Sequence, residues 1–408
     1  MKRLAIASTC SIAAILLIAL LAGCGGGGDD TSSADTGGGS SAENAADTGE
    51  SSGGDGTQEA TAEEAAVKPA TKPDRLKVRF AGSDYGELME RTVVAQFEKE
   101  NGIPVTIDNT DEYTSFAKND QAIEAGQRPP VDCQIQNQPY AYLDSIHEFA
   151  LPISPEVAPN LNSIEAVAKP TGLPLNDDGT WPYVGIYQLS VPFVENEDAI
   201  SADQVTSWLD LKDPSLKRSI AIDGAYQSTA FGIAKALGVE VTEDPASLDP
   251  VWEFLSEIKG NQAILGTSVD TVRGLTSGQV KMAITPPLDG ISAEKEGVKI
   301  RFVPPKEGMV VVTDSFYINA HIPQNVYYYC QKFANVMLDP EVQAEWADTL
   351  GLVPVNGEAK VPAFMSQHPD VFPITEKQIE EANGFRAPVP LQARNQETWQ
   401  TEFENALK

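Results

Sequence analysis

Three polar residues, Gln227, Ser228 and Thr229, stand directly before an apolar run that continues to Leu237 and stops at Gly238. A helix starting there presents free backbone N–H groups and the positive end of its dipole, which suit a carboxylate, phosphate or phosphonate. The same residues also serve as an ordinary helix cap, a role Ser and Thr fill in most helices. Asp314, after the β-branched run Val310–Val312, is placed to accept from a ligand ammonium, or equally to form an Asx turn. Covalent chemistry has no comparable signal. The three histidines, His147, His321 and His368, are far apart and show no H-E-x-x-H spacing. No nucleophile elbow, phosphate loop or G-x-G-x-x-G turn occurs, so neither a cofactor nor a metal is expected. Tyr327, Tyr328 and Tyr329 resemble a phenolate set for ferric iron, but consecutive helical residues point about 100° apart, so packing is the expected role.

Alternating strands and helices must position these residues. Leu76–Phe80 reads as a strand; Leu88, Val93, Val94 and Phe97 fall at helical spacing between Tyr85 and Glu100, with Asn101-Gly102 as the stop. Val105–Ile107 is the next strand, a helix follows around Phe116–Ala125, and Val131–Ile135 leads into a polar loop at Gln136-Asn137-Gln138. Ser219–Asp223 and Lys281–Ile284 repeat the strand pattern, and the chain after Asn325 is largely helical. This order predicts an α/β protein with mainly parallel sheets, whose ligands sit beyond the carboxyl ends of strands.

The chain's ends bear on location. Lys2-Arg3, an uncharged apolar run from Leu4 to Gly23 and the tetrad Leu21-Ala22-Gly23-Cys24 have the layout of a secretion signal. The tetrad resembles the lipobox of bacterial lipoproteins, which implies acylation of Cys24 and a membrane anchor through that lipid. Residues 25–73 are rich in Gly, Ser, Ala and Thr and are expected to be a disordered, acidic linker. The chain has 408 residues and a formal charge of −30. Subtracting +2 for the signal and −8 for the linker leaves −24 on residues 74–408. Clustered positive charge, which nucleic-acid binding requires, is therefore excluded, and acidity otherwise serves solubility. Of four cysteines, Cys133 and Cys330 remain in the body, and outside the cell the two can form one disulfide. A body of 335 residues exceeds what one compact core usually serves, which predicts two lobes.

Six short segments, in order, carry a family resemblance over essentially all of residues 74–408. They are Phe97-Glu98-Lys99-Glu100-Asn101-Gly102-Ile103 with Val105; Trp181-Pro182-Tyr183; Val205-Thr206-Ser207-Trp208-Leu209-Asp210-Leu211 with Asp213-Pro214; Ser277-Gly278-Gln279-Val280; Pro305-Lys306-Glu307-Gly308; and Leu338-Asp339-Pro340-Glu341-Val342-Gln343 before Gly351-Leu352-Val353-Pro354-Val355-Asn356. The chain resembles the solute-binding component of a bacterial ABC importer, in the branch that includes spermidine/putrescine-binding proteins. The resemblance implies a periplasmic-binding-protein-like fold, a monomer that closes two α/β lobes on a small solute, and delivery to a membrane permease without covalent chemistry. It places lobe I at 74–187 with 316–408 returning to it, lobe II at 188–315, and hinges near Tyr183–Gln188 and Val310–Ser315. The implied ligand-binding residues are Ser83, Asp84, Tyr85, Gln136, Asn137, Gln227, Ser228, Thr229, Thr285 and Asp314.

Polyamine binders of this branch hold amines with carboxylates and flat aromatic platforms. Here two of those carboxylates align with Ala225 and Ser228, and two tryptophan platforms with Pro286 and Val312; Asp314 alone is retained. The expected solute is therefore small and polar, whether polyamine-like, zwitterionic or phosphonate-like; the lost carboxylates favour a zwitterion or anion with one amine, amino acid-like or an aminophosphonate, because desolvated ammonium groups need paired charge. The rivals from other classes are a secreted, lipid-anchored hydrolase, needing a convergent nucleophile and base, and a surface adhesion or scaffolding module, needing a large exposed apolar patch.

Overall fold

The computed structural model describes residues 59–165 and 168–408. The signal sequence, Cys24 and the linker as far as residue 58 lie outside the described residues. The chain runs through strands β1 (Leu76–Arg79), β2 (Val105–Asp108), β3 (Cys133–Asn137), β4 (Ala150–Leu151) and β5 (Val184–Val191). It then forms β6 (Phe193–Asn196), β7 (Ile220–Asp223), β8 (Gln262–Gly266), β9 (Met282–Ile284) and β10 (Ile300–Val303), and ends with β11 (Val310–Asn319), β12 (Val353–Pro354) and β13 (Phe385–Arg386). One sheet has the order β12-β5-β11-β3-β1-β2, with β4 and β13 also paired to β11; the other has the order β10-β6-β9-β7-β8. Each sheet backs its own lobe.

Both sheets are mixed rather than mainly parallel. β1 lies parallel to β2 and β3, and β7 parallel to β8 and β9, as the βαβ order requires. The strands next to the crossings, β5 and β11 in the large sheet and β6 in the small one, run antiparallel to their neighbours, except that β11 is parallel to the short β13. All eight residues of β5 are buried, including the polar Gln188 and Ser190 that alternate with Leu189 and Val191, so neither face of the strand meets solvent.

The first helical stretch starts at Ser83 and ends at Asn101, where Gly102 turns left-handed at φ 64°. Leu88, Met89, Val93 and Phe97 bury its apolar stripe, and a π-helical turn at Glu90–Val94 interrupts it. No polar loop follows β3: Asn137 ends the strand and Gln138 begins the helix Gln138–Ile146. In helix Gln324–Met337, Tyr327 is buried with its hydroxyl donating to the Pro152 carbonyl at 2.5 Å, and Tyr329 is buried too, so packing accounts for this run.

The structure departs from the expected lobe boundaries in three places. The hinge positions expected at Tyr183–Gln188 and Val310–Ser315 lie within or beside β5 and β11, which are paired with each other from Val310↔Val191 to Phe316↔Val184. A strand held in a ladder cannot swivel, so the chain crosses where the ladder ends, at Pro192 and between Val303 and Val310. The C-terminal helix Val389–Leu407 does not return wholly to the large lobe. Val389 and Ala393 pack with Ala141 and Tyr142, whereas Trp399, Phe403 and Leu407 join the small-lobe core around Phe231 and Phe254. The helix thus bridges the lobes. At the other end, residues 59–65 of the expected linker dock on the large lobe: Ala60 N–H donates to the Ile322 carbonyl at 2.9 Å, and the Gln331 amide to the Ala65 carbonyl at 2.7 Å. Ala60 and Ala65 are buried, which supplies the apolar contact a solvated leash lacks.

Cys133 and Cys330 are neighbours, but both are free, buried thiols rather than a disulfide. Burial pushes both thiols up, so they are held neutral and unreactive.

Candidate solute-binding cleft

A cavity of about 340 Å³ lies between the lobes. The large lobe contributes Arg79 at the end of β1, Ser83 and Tyr85 just beyond it, Glu112, Gln136 and Asn137 at the end of β3, and Tyr187 and Asp314. The small lobe contributes Asp223 at the end of β7, Ala225, Gln227 and Ser228 after it, Thr267 and Ser268 after β8, and Pro286 and Leu288 after β9. Most of these residues follow the carboxyl ends of parallel strands, where open α/β sheets leave a crevice.

Asp314 reaches the cavity by a different route. It sits within β11, not at a strand end, and the register slips between Asp314 and Ser315: Asp314 faces Tyr187, but Ser315 faces Gly185. This bulge leaves Ile186 as the extra residue on β5 and re-aims the side chains beside it. The Tyr187 hydroxyl donates to Asp314 Oδ2 at 2.6 Å. Ser83 has φ 69°, a left-handed conformation that is strained for a residue with a Cβ, at the point where the chain turns out of β1 into the cleft.

The charges around the cavity are unbalanced. Burial raises the Asp314 carboxyl, although the Tyr187 hydroxyl and the Arg79 guanidinium both favour its ionised form. Burial pushes Glu112 up to about 7, with Arg79 opposing, while its carboxylate accepts from the Asn137 backbone N–H and from Asn137 Nδ2 at 2.7 Å. Burial likewise raises Asp223, which accepts from the Ser228 hydroxyl at 2.8 Å and the Ala225 N–H at 3.2 Å. Arg79 is the one basic residue lining the cavity among those described. Its Nε and Nη1 donate to the carbonyls of Thr110 at 3.1 Å and Ile135 at 2.6 Å. Gln136 Oε1 and Gln227 Oε1 are buried acceptors with no partner. Three carboxylates, two idle amide acceptors and the unpartnered Tyr85 hydroxyl surround one guanidinium, which leaves the site short of positive charge.

Of the residues expected from the sequence, Ser83, Tyr85, Gln136, Asn137, Gln227, Ser228 and Asp314 line this cavity, and three do not. Asp84 turns into an adjoining cavity of about 300 Å³ and accepts from the Ser292 hydroxyl at 3.0 Å, joining the lobes there. Thr229 is wholly buried at the start of helix Ala230–Leu237, with no cap bond from its hydroxyl. Thr285 is buried and donates to Asp289. The anion site expected at Gln227–Thr229 is filled by the chain itself: Asp223 takes the Ser228 hydroxyl and the turn's N–H, and its carboxylate repels a second anion. Arg79, Glu112, Tyr187 and Asp223 are wall residues that sequence reasoning missed. Asp223, the last residue of a strand before Gly224, carried a usable signal; Glu112 looked like any acidic residue in a first helical turn, and Tyr187 like core.

Residues 92–373 match the family described as bacterial extracellular solute-binding protein. The chain belongs to this family of solute-binding transport proteins, which are not enzymes. The spermidine/putrescine-binding periplasmic protein of Salmonella typhimurium is 28% identical over 187 residues, 45% of this chain and 52% of that protein. The chain thus spans about half the length of the curated relatives it matches. Among solved structures, a Listeria monocytogenes chain provisionally described as a spermidine/putrescine ABC transporter aligns with TM-score 0.69 at 19% identity, covering 82% of this chain and 99% of that one. A binding protein of A. tumefaciens R10, solved in complex with agropinic acid, aligns with TM-score 0.63 at 16% identity, covering 83% and 99%. At such identities the structures establish the two-lobed fold. No helix among the described residues is long and apolar enough to cross a membrane.

Proposed function

We propose that the cleft captures a small organic cation carrying ammonium groups and presents it to a membrane permease, with the protein tethered outside the cytoplasm, as a monomer, by a lipid on Cys24. One observation carries this reading: Glu112, Asp223 and Asp314 converge on a cavity whose only basic lining residue, among those described, is Arg79. An ammonium ion supplies positive charge to the three carboxylates and N–H donors to the unpartnered Gln136 and Gln227 oxygens. The four positions where the family's carboxylates and platforms were missing, Ala225, Ser228, Pro286 and Val312, all lie on the wall. Asp223 restores a carboxylate beside two of them, so the acidic character is relocated rather than lost. The relatives named for spermidine and putrescine support the polyamine-like solute over the zwitterionic and phosphonate-like ones.

Titration calorimetry with 1,4-diaminobutane, 4-aminobutanoate and 2-aminoethylphosphonate tests it. The diamine is expected to bind at about 1 μM, near −8 kcal/mol, with at least a tenfold loss in Asp314→Asn. Tight binding of the phosphonate with a silent diamine would refute the assignment. Loss of membrane fractionation in Cys24→Ser tests the anchor.

A further inference from the structure

Behind the cleft wall two carboxyl groups meet with no base beside them. Asp120 lies on helix Glu112–Glu124 and Asp144 on helix Gln138–Ile146, and their side chains face each other. Asp144 is wholly buried and Asp120 half-buried. A carboxylate can only accept, so Asp144 Oδ1, Asp144 Oδ2 and Asp120 Oδ1, all shielded from water, are left without a donor. The hydroxyl of Tyr317 on β11, also wholly buried, stands beside Asp144 and has no partner of its own.

Nothing around the pair neutralises two charges. The titratable groups that act on it are Glu124, one turn further along the first helix, and Tyr317, on which Glu112 acts in turn from the cleft end; none of them is a Lys, Arg or His. β3 meets the first helix through the uncharged Gln134, which accepts from Asn119 at 3.1 Å. The C-terminal helix packs on Ala141 and Tyr142 with Val389 and Ala393, and the short β4 carries no charge. Burial is the main cause that raises both carboxyls, and the Asp120 charge raises Asp144 further. The same two helices are joined a second time, at the cleft. Glu112 opens the first, and its carboxylate accepts from the N–H and Nδ2 of Asn137, which precedes the second. Asp120 and Asp144 lie about two turns further along, so the pair ties the far parts of two helices whose near ends form the wall.

We propose that Asp120 and Asp144 share one proton, carried by Asp144 as an O–H that donates to the Asp120 carboxylate, and that this proton is a pH-sensitive latch holding helix Glu112–Glu124, and with it Glu112, in the cleft wall. One O–H supplies the donor the pair lacks and leaves a single negative charge between the helices. When the proton leaves, two like charges stand side by side in a desolvated place and push the helices apart. The folded pair holds its proton more tightly than the unfolded chain does. Its stabilisation is therefore full below about pH 4, where both states are protonated, and is lost as pH rises through the titration of the folded pair. The latch acts on the wall whichever solute the cleft takes.

Urea unfolding of the full-length protein in non-ionic detergent, from pH 5 to pH 8, tests the latch. The variants are Asp144→Asn, whose amide is a permanent donor to Asp120, and Asp144→Leu, an apolar side chain of similar size that leaves the half-buried Asp120 to water. Over that range the unfolding equilibrium constant of wild type is expected to rise at least about tenfold more than that of either variant, because only wild type releases a shared proton on unfolding. Amide exchange read by mass spectrometry, corrected for the intrinsic rate at each pH, is the second measurement. Residues 112–124 are expected to lose protection between pH 6 and pH 8 in wild type and to keep it in Asp144→Asn. Parallel stability profiles in wild type and the variants, or equal protection of residues 112–124 at the two pH values in wild type, overturn the latch. If one variant fails to fold, the other variant and the wild-type exchange decide. Neither measurement contains a solute, so failure here leaves the organic-cation reading of the cleft standing.

Discussion

Glu112 makes solute binding a function of pH, and the sign follows from its surroundings. Burial holds its carboxyl at about 7 in the empty cleft, so it is about half protonated at neutral pH. An ammonium ion beside it favours the ionised form, so binding a cation expels the proton. The ionised fraction rises from roughly 0.1 at pH 6 to roughly 0.9 at pH 8. The apparent affinity for a diamine is therefore expected to rise about tenfold over that range, or about 1.4 kcal/mol, since only the ionised form is competent. Calorimetry at pH 7 in two buffers of different ionisation enthalpy should show release of about half a proton per cation bound. Glu112→Gln should bind more weakly and with little pH dependence. Stability of the empty protein mirrors this. The folded-state pKa lies above the unfolded one, so the contribution of Glu112 is full below about pH 4.3 and is lost as pH rises through 7. Allowing for its partial exposure, the loss is about 1–3 kcal/mol. A diamine affinity that stays flat from pH 6 to pH 8 in wild type, or a Glu112→Gln variant with the wild-type pH profile, would sink the argument.

Two further outcomes test the fold. A Cβ placed on Gly232 comes within 2.2 Å of the buried Trp208 ring, so Gly232→Ala should destabilise the small lobe by about 1–3 kcal/mol, read as a lower urea midpoint at unchanged slope. Cys133 and Cys330 should resist alkylation in the native protein and take up two equivalents when it is unfolded without reductant; a single linked pair in the mass spectrum would contradict the free thiols.

The strands and helices around the cleft were legible because their burial is one-sided or their ends are marked. The Leu88, Val93 and Phe97 stripe with the Gly102 stop, and the Ala230–Leu237 helix closed by Gly238, declare themselves locally. So do the polar residues that follow parallel strands. The crossings were misplaced because β5 is buried on both faces, its polar Gln188 and Ser190 included, so nothing in its sequence shows where its ladder ends. The docking of residues 59–65 was hidden because two buried alanines in a Gly/Ser-rich setting have no periodicity. The C-terminal helix was visible as a helix, but its splitting between two cores was not, since Val389, Ala393, Trp399 and Phe403 form one stripe whichever lobe they meet.

From its order of residues alone this chain determines its class: an acidic α/β protein of the solute-binding kind, without the spacing that covalent chemistry needs. Those properties rest on local periodicity, on charge and on short motifs, all of which are linear in the chain. The nature of the site was decided only in three dimensions. Glu112, Asp223 and Asp314 lie more than ninety residues apart from one another in sequence, and each alone resembles a helix-start, strand-end or turn carboxylate. Their shared desolvation and their single opposing guanidinium exist only when β1, β7 and β11 are brought to one cavity. Electrostatic energy depends on distance and burial, which sequence spacing does not encode.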